Sequence, residues 1–143
     1  RYWKALYLDA LTDEAIDLIV ERSLAMPSEQ TVFLRHLGGA VDRVPAAATG
    51  FADRRAQFML SIDSSWLDAA ADETNLAWTR AFWSQLELWS GGRTYFNFPG
   101  AHEEGDTALR ASYGANYERL VDIKTAWDPD NVFNTGQNIR PRR

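Results

Sequence analysis

Residues 57–64, Gln57-Phe58-Met59-Leu60-Ser61-Ile62-Asp63-Ser64, alternate: Phe58, Leu60 and Ile62 point one way, and Gln57, Met59, Ser61 and Asp63 the other. A period of two reads as a strand. A strand with one apolar and one mixed face belongs to a sheet packed mainly on one side. Outward from it the period keeps changing. Tyr2 to Leu8 reads as a strand, and Thr31 to Leu37 as another, with Val32, Leu34 and His36 on one face and Phe33, Arg35 and Leu37 on the other. Between them Thr12 is placed to cap a helix whose first turn holds Asp13 and Glu14 and whose stripe is Ile16, Ile19, Val20 and Leu24, ending before Pro27. A second helix starts at Asp72-Glu73-Thr74, carries Trp78, Phe82, Leu86 and Trp89, and stops at Gly91-Gly92. Thr94 to Phe98 reads as a short strand, 101–107 as a polar loop, and Tyr113 to Trp127 as a helix ended by Asp128-Pro129. The expected fold is α+β: a mostly antiparallel sheet with helices on one face and the other face free.

Composition limits the function. The 143 residues include no cysteine, so disulfides and thiolate metal sites are excluded. With 45% apolar residues, six Trp, five Tyr and seven Phe, the chain can build a core. A net charge of −5 argues against nucleic acid as partner; the basic tail Arg140, Arg142 and Arg143 reads as a solvated end. No apolar run approaches the roughly 20 residues that cross a bilayer, so no membrane partner is expected, and the aqueous compartment stays open. His36 and His102 are too far apart in sequence to form a zinc site by spacing, and His36 reads as a structural strand residue. No nucleophile elbow or phosphate-binding glycine loop is present. The chemistry left over lies on strand faces: Asp63 and Ser61 share a side of one strand, and Tyr95 and Asn97 share a side of another, opposite Phe96 and Phe98. Lining one cleft, they would give a proton acceptor, a phenol relay and an orienting amide. Left to solvent, they are an ordinary sheet surface.

The C-terminal third carries a longer pattern. Tyr113-Gly114-Ala115-Asn116-Tyr117 through Lys124, then Asp128-Pro129-Asp130-Asn131-Val132-Phe133 and Gln137-Asn138-Ile139-Arg140-Pro141, resembles the C-terminal signature of the berberine-bridge-enzyme-like FAD-linked oxidases of the vanillyl-alcohol-oxidase superfamily. Gly91-Gly92-Arg93-Thr94-Tyr95-Phe96-Asn97-Phe98 resembles that family's Gly-Gly-x-x-Tyr-x-Asn-Phe segment. Phe51-Ala52-Asp53-Arg54 with Trp66 downstream resembles its aromatic-x-His-Arg strand, and Gly38-Gly39-Ala40 and Tyr2-Trp3-Lys4 fit as well.

The resemblance implies only part of an enzyme: residues 1–100 as a partial substrate-binding domain, and 101–143 as the segment that returns to an N-terminal FAD domain absent from this sequence. Arg1 in place of an initiating Met agrees with that expectation. The implied cofactor is FAD, held by the longer protein rather than tightly by this piece. The implied partners are that FAD domain and a small-molecule substrate. The implied chemistry is hydride transfer from a C–H next to oxygen or nitrogen to flavin N5, with a base taking the proton and dioxygen reoxidising the flavin. On this pattern Asp63 is the base, Tyr95 is catalytic and flavin-facing, and Asn97 and Asn116 are cofactor-binding. Two departures matter. Phe98 stands where sugar-oxidising members carry a tyrosine base, and Asp53 stands where the family carries His. A free-standing α+β module that binds a ligand or partner is the reading in another class.

Overall fold

A computed structural model describes residues 1–98 and 105–142. In chain order the elements are β1 (Tyr2–Leu8), α1 (Asp13–Leu24), β2 (Glu29–His36), the single turn α2 (Ala40–Arg43), β3 (Phe58–Ser65), α3 (Asp72–Leu86), α4 (Asp106–Tyr113) and α5 (Tyr117–Trp127), with short 3₁₀ turns between several of them. The fold class is α+β. One sheet of three antiparallel strands is seen among the described residues, in the order β1-β3-β2. Its centre is the strand with the clearest alternation.

Register explains the two faces. Leu6 lies opposite Leu60, which lies opposite Leu34, and Lys4, Ile62 and Val32 form the next row. With Leu8, Phe82 and Leu86, the residues Leu6, Leu60 and Ile62 form a fully buried core under α1 and α3, flanked by Ile19, Val32, Trp78 and Trp83. Polar pairs fix α3 on this face: Ser64 and Thr79 hydroxyls lie 2.6 Å apart, and Gln30 Nε2 donates to Asn75 Oδ1 at 2.6 Å. Thr12 caps α1 as expected, its Oγ1 accepting from Ala15 N at 3.3 Å.

The structure departs from the sequence reading in three places. Residues 94–98 form no strand. They follow the free edge of β1 through only two backbone bonds, Ala5 N to Phe98 O and Tyr7 N to Arg93 O, both 3.2 Å. Between those points the chain closes a turn, Phe98 N to Tyr95 O at 2.9 Å. The turn brings Phe98 to the same side as Tyr95, their ring centroids 5.3 Å apart, while Phe96 alone enters a separate cluster with Leu109, Tyr117 and Val121. Second, the helix expected from Tyr113 begins only at Tyr117; Tyr113 is the last residue of a separate helix, α4, which ends at Gly114, where φ is +49° and only glycine fits easily. Third, the sheet face away from the helices is only half free: Ala5, Tyr7 and Met59 are buried beneath Leu37, Phe51, Tyr95 and Phe98. The expected loop over 101–107, with His102, lies mostly outside the described residues, although 106 and 107 already belong to α4. No helix among the described residues is long and apolar enough to cross a membrane.

The C-terminal segment is tied back onto the rest. Gln137 Nε2 donates to Phe96 O at 2.8 Å, and Arg142 pairs with Asp122 and Glu118, each at 2.8 Å. Asp128 accepts from the backbone of Val132 and Phe133 and pairs with Lys124, whose ammonium holds its carboxyl below the ordinary range. That explains the order in Asp128-Pro129-Asp130-Asn131: it is a capped turn after α5.

Candidate functional site

The sheet face opposite α1 and α3 is laid out in rows by the strand register. Trp3, Asp63 and Thr31 form one row; Ala5, Ser61 and Phe33 the next; Tyr7, Met59 and Arg35 the third. The third row lies under the 93–98 turn. The covering reaches the second row too, where Ala5 and Ser61 are fully buried; what stays open is Trp3, 42% exposed, Phe33, 41% exposed, and the half-buried Asp63 between the two edges. Two part-exposed aromatic rings thus lie on the same face as a carboxylate.

Asp63 is half-buried on this open part, and its Oδ1 is buried with no hydrogen-bond partner among the described residues. A buried carboxylate oxygen without a donor is costly and is expected to have one in the working protein. Ser61 Oγ, one row away, accepts from Arg35 Nη1 at 3.2 Å. At the covered end, Asn97 Nδ2 donates to the Tyr95 hydroxyl oxygen at 2.7 Å, which leaves the phenol proton available as a donor. Tyr95 meets Tyr7 edge-on at 5.9 Å, and Phe98 meets Trp3 at 6.2 Å. Tyr95 and Asn97 are therefore brought together. Asp63 shares their face of the sheet but reaches them only through Trp3 and Phe98, with no hydrogen bond between them.

Asn116 lies elsewhere. It sits between α4 and α5, almost fully buried, and its amide donates to Ala46 O at 2.8 Å and Thr49 O at 3.1 Å. It fastens the 44–50 connection, so only its carbonyl oxygen is left to meet a cofactor.

Several residues of the site were not singled out in the sequence. Arg93 links three segments: it pairs with Asp53 at 3.0 Å and Asp9 at 2.6 Å, and donates to Ser90 O at 3.0 Å. Asp53, at the family's His position, is therefore a charge partner rather than a ring. Burial, with repulsion from Asp9, pushes its carboxyl above the ordinary range despite Arg93. Tyr7, the floor beside them, has its phenol pushed well up, first by burial and then by Asp53 and Tyr95. Its alternation with Leu6 and Leu8 in β1 was the available signal. A cavity of about 400 Å³ opens there, lined by Tyr7, Phe51, Met59, Tyr95, Phe98 and two arginines.

Comparison with known proteins gives the family. The family model for berberine and berberine-like proteins matches residues 94–140. The aclacinomycin-N/aclacinomycin-A oxidase of Streptomyces galilaeus is 31% identical over 126 residues, which is 77% of this chain and 23% of that protein. The uncharacterized FAD-linked oxidoreductase YvdP of Bacillus subtilis is 34% identical over 137 residues, 94% of this chain and 30% of that protein. Among solved structures, aclacinomycin oxidoreductase superposes with a TM-score of 0.79 at 29% identity, covering 99% of this chain and 33% of that one. The chain thus spans 23% to 33% of the length of these proteins, which are named as oxidases or oxidoreductases, one of them as FAD-linked.

Proposed function

This chain belongs to the berberine-bridge-enzyme-like FAD-linked oxidases, and on that premise we propose that it forms the C-terminal, substrate-side portion of an FAD-dependent oxidase that removes hydride from a C–H bond next to oxygen or nitrogen. Residues 1–100 contribute the substrate-binding sheet. Residues 101–143 form the segment that returns to an N-terminal FAD domain. The observation that carries this reading is the open sheet face, where Trp3 and Phe33 present flat apolar surface on either side of the donor-less Asp63 carboxylate oxygen.

The residues present fit the ring end of a flavin and its substrate: aromatic planes to lie against, and polar groups confined to a few points. Bound FAD would supply the hydride acceptor at N5 and pass the electrons on to dioxygen. The rest falls to the protein. Asp63 takes the proton from the substrate O–H or N–H as hydride leaves the adjacent carbon, so the products are a carbonyl or imine and a protonated carboxyl. Tyr95, its oxygen fixed by the Asn97 amide, keeps its phenol proton and offers it as a hydrogen bond to the substrate or the flavin edge, and so sets orientation. Asn97 positions Tyr95. Asn116, by holding residues 46–49, keeps the wall behind Asp53 and Arg93 in place. Phe98, where relatives of the sugar-oxidising type carry a tyrosine base, offers no proton acceptor, which leaves that duty to Asp63.

The test is to express the full reading frame around these residues and assay a panel of primary and secondary alcohols and amines for anaerobic flavin bleaching and aerobic peroxide release. Bleaching with stoichiometric peroxide supports the reading. A flavin-free protein overturns it.

A further inference from the structure

Two guanidinium groups reach the 400 Å³ cavity, and they are not equivalent. Arg54 is committed to its own loop: Nε donates to Phe51 O at 3.1 Å, Nη1 to Val41 O at 3.4 Å and Nη2 to Thr49 Oγ1 at 2.5 Å, with the guanidinium 4.7 Å over the Phe51 ring. Arg35 is different. It projects from the edge strand β2, lies 4.9 Å over the Phe33 ring, and uses only Nη1, toward Ser61 Oγ at 3.2 Å and Met59 Sδ at 3.8 Å. Nε and Nη2 make no hydrogen bond among the described residues. Arg93, Arg110 and Arg142 all hold carboxylates, whereas Arg35 forms no ion pair among the described residues. No acid lines the cavity. In a chain with a net charge of −5, that is a local reversal of sign.

An arginine steadied by an aromatic ring and a hydroxyl, with two donors free beside apolar walls, is arranged to take an oxyanion in a forked pair. The sheet also sets a spacing. Arg35 registers with Met59, four residues along β3 from Asp63, about 13 Å of strand. The lean of Arg35 toward Ser61 shortens the gap to about 7 Å, one row of the sheet. That span matches a single aromatic ring between an anionic group and an oxidisable carbon.

We propose that the substrate of this site is an anionic aryl compound, its carboxylate held by Arg35 and its oxidisable carbon turned toward Asp63. The proposal rests on the oxidase reading for the second end only; anion capture by Arg35 is a matter of binding. The probes are 4-(hydroxymethyl)benzoate and its neutral isostere 4-(hydroxymethyl)benzamide, titrated into the full-length protein and followed by tryptophan fluorescence and, separately, by the visible spectrum. The expected result is a carboxylate Kd about 30-fold below that of the amide. Arg35→Gln should abolish the difference while leaving the amide Kd within about threefold, and Arg35→Lys should restore part of it. Equal Kd values in the wild type, a preference that survives Arg35→Gln, or no saturable carboxylate binding up to about 10 mM would overturn the proposal. A protein without flavin bands that still prefers the carboxylate by fluorescence would sink the oxidase reading and leave the anion site standing.

Discussion

Replacing Asp63 by Asn is the sharpest perturbation of the proposed chemistry. The two side chains have nearly the same shape, and Asp63 forms no ion pair among the described residues, so the fold loses little. Its buried Oδ1 already lacks a donor, so the substitution removes a charge that the described structure does not satisfy, and the unfolding free energy should stay within about 1 kcal/mol of wild type. Catalysis should respond very differently. A positioned general base is worth about 10²- to 10⁴-fold, which is about 2.7 to 5.4 kcal/mol of barrier at 1.36 per decade. The assay is anaerobic stopped-flow reduction of the full-length flavoprotein with whichever alcohol or amine bleaches it fastest, read at saturating substrate beside a urea melt of the same sample. A loss in that range with an unchanged melt supports Asp63 as base. Reduction within about threefold of wild type refutes it, and a collapsed melt refutes the argument from shape.

Other outcomes follow from the packing and the charges. Phe82 of α3 is fully buried in the cluster with Leu6 and Leu8 of β1 and Leu60 and Ile62 of β3, so Phe82→Ala should cost about 3–5 kcal/mol in urea unfolding; a loss under about 1.5 would mean that the core is not organised around it. Asn116→Ala removes two amide donors from the carbonyls of Ala46 and Thr49, at about 1–3 kcal/mol. It should speed hydrogen exchange over residues 46–50, whereas lost flavin with unchanged exchange would place Asn116 on the cofactor instead. Asp53 is raised above its ordinary value, first by burial, so the stability it contributes is fully present below the unfolded carboxylate value and is lost as pH rises through the folded one. Asp53→Asn should therefore gain on wild type as pH climbs from about 3.5 to 7 in urea melts at both ends; the opposite slope would show that the Arg93 pairing outweighs burial.

How far the sequence could be read depended on whether local pattern or distant contact decided each segment. Residues 57–64 alternate because β3 lies between two strands and its two faces pack differently, Leu60 and Ile62 in the core under the helices and Met59 under the 93–98 turn, so pattern and structure agree on the strand although its mixed face is more buried than the pattern suggests. Thr12 was legible because a cap is a local event. Residues 94–98 misled because aromatic alternation there serves two different clusters, and the turn that separates Phe98 from Phe96 is imposed by the edge of β1 about 90 residues earlier in the chain. The pairing of Tyr95 with Asn97 survived that error, since both flank Phe96, which alone turns into the C-terminal cluster. Arg35 was visible only as one residue of an alternating strand. The role proposed for it rests on the absence of an ion pair among the described residues, and a sequence does not show which charges pair. Asp53 appeared as a departure from a family pattern, and only the geometry with Arg93 and Asp9 gives it a role.

The most direct test of the account is the visible absorption spectrum of the purified full-length protein, recorded before and after anaerobic addition of a substrate alcohol. Oxidised flavin bands should bleach on addition and return with air, and the bleaching rate should fall by about 10²-fold or more in Asp63→Asn. A colourless protein, or flavin bands that no alcohol or amine bleaches, would contradict it.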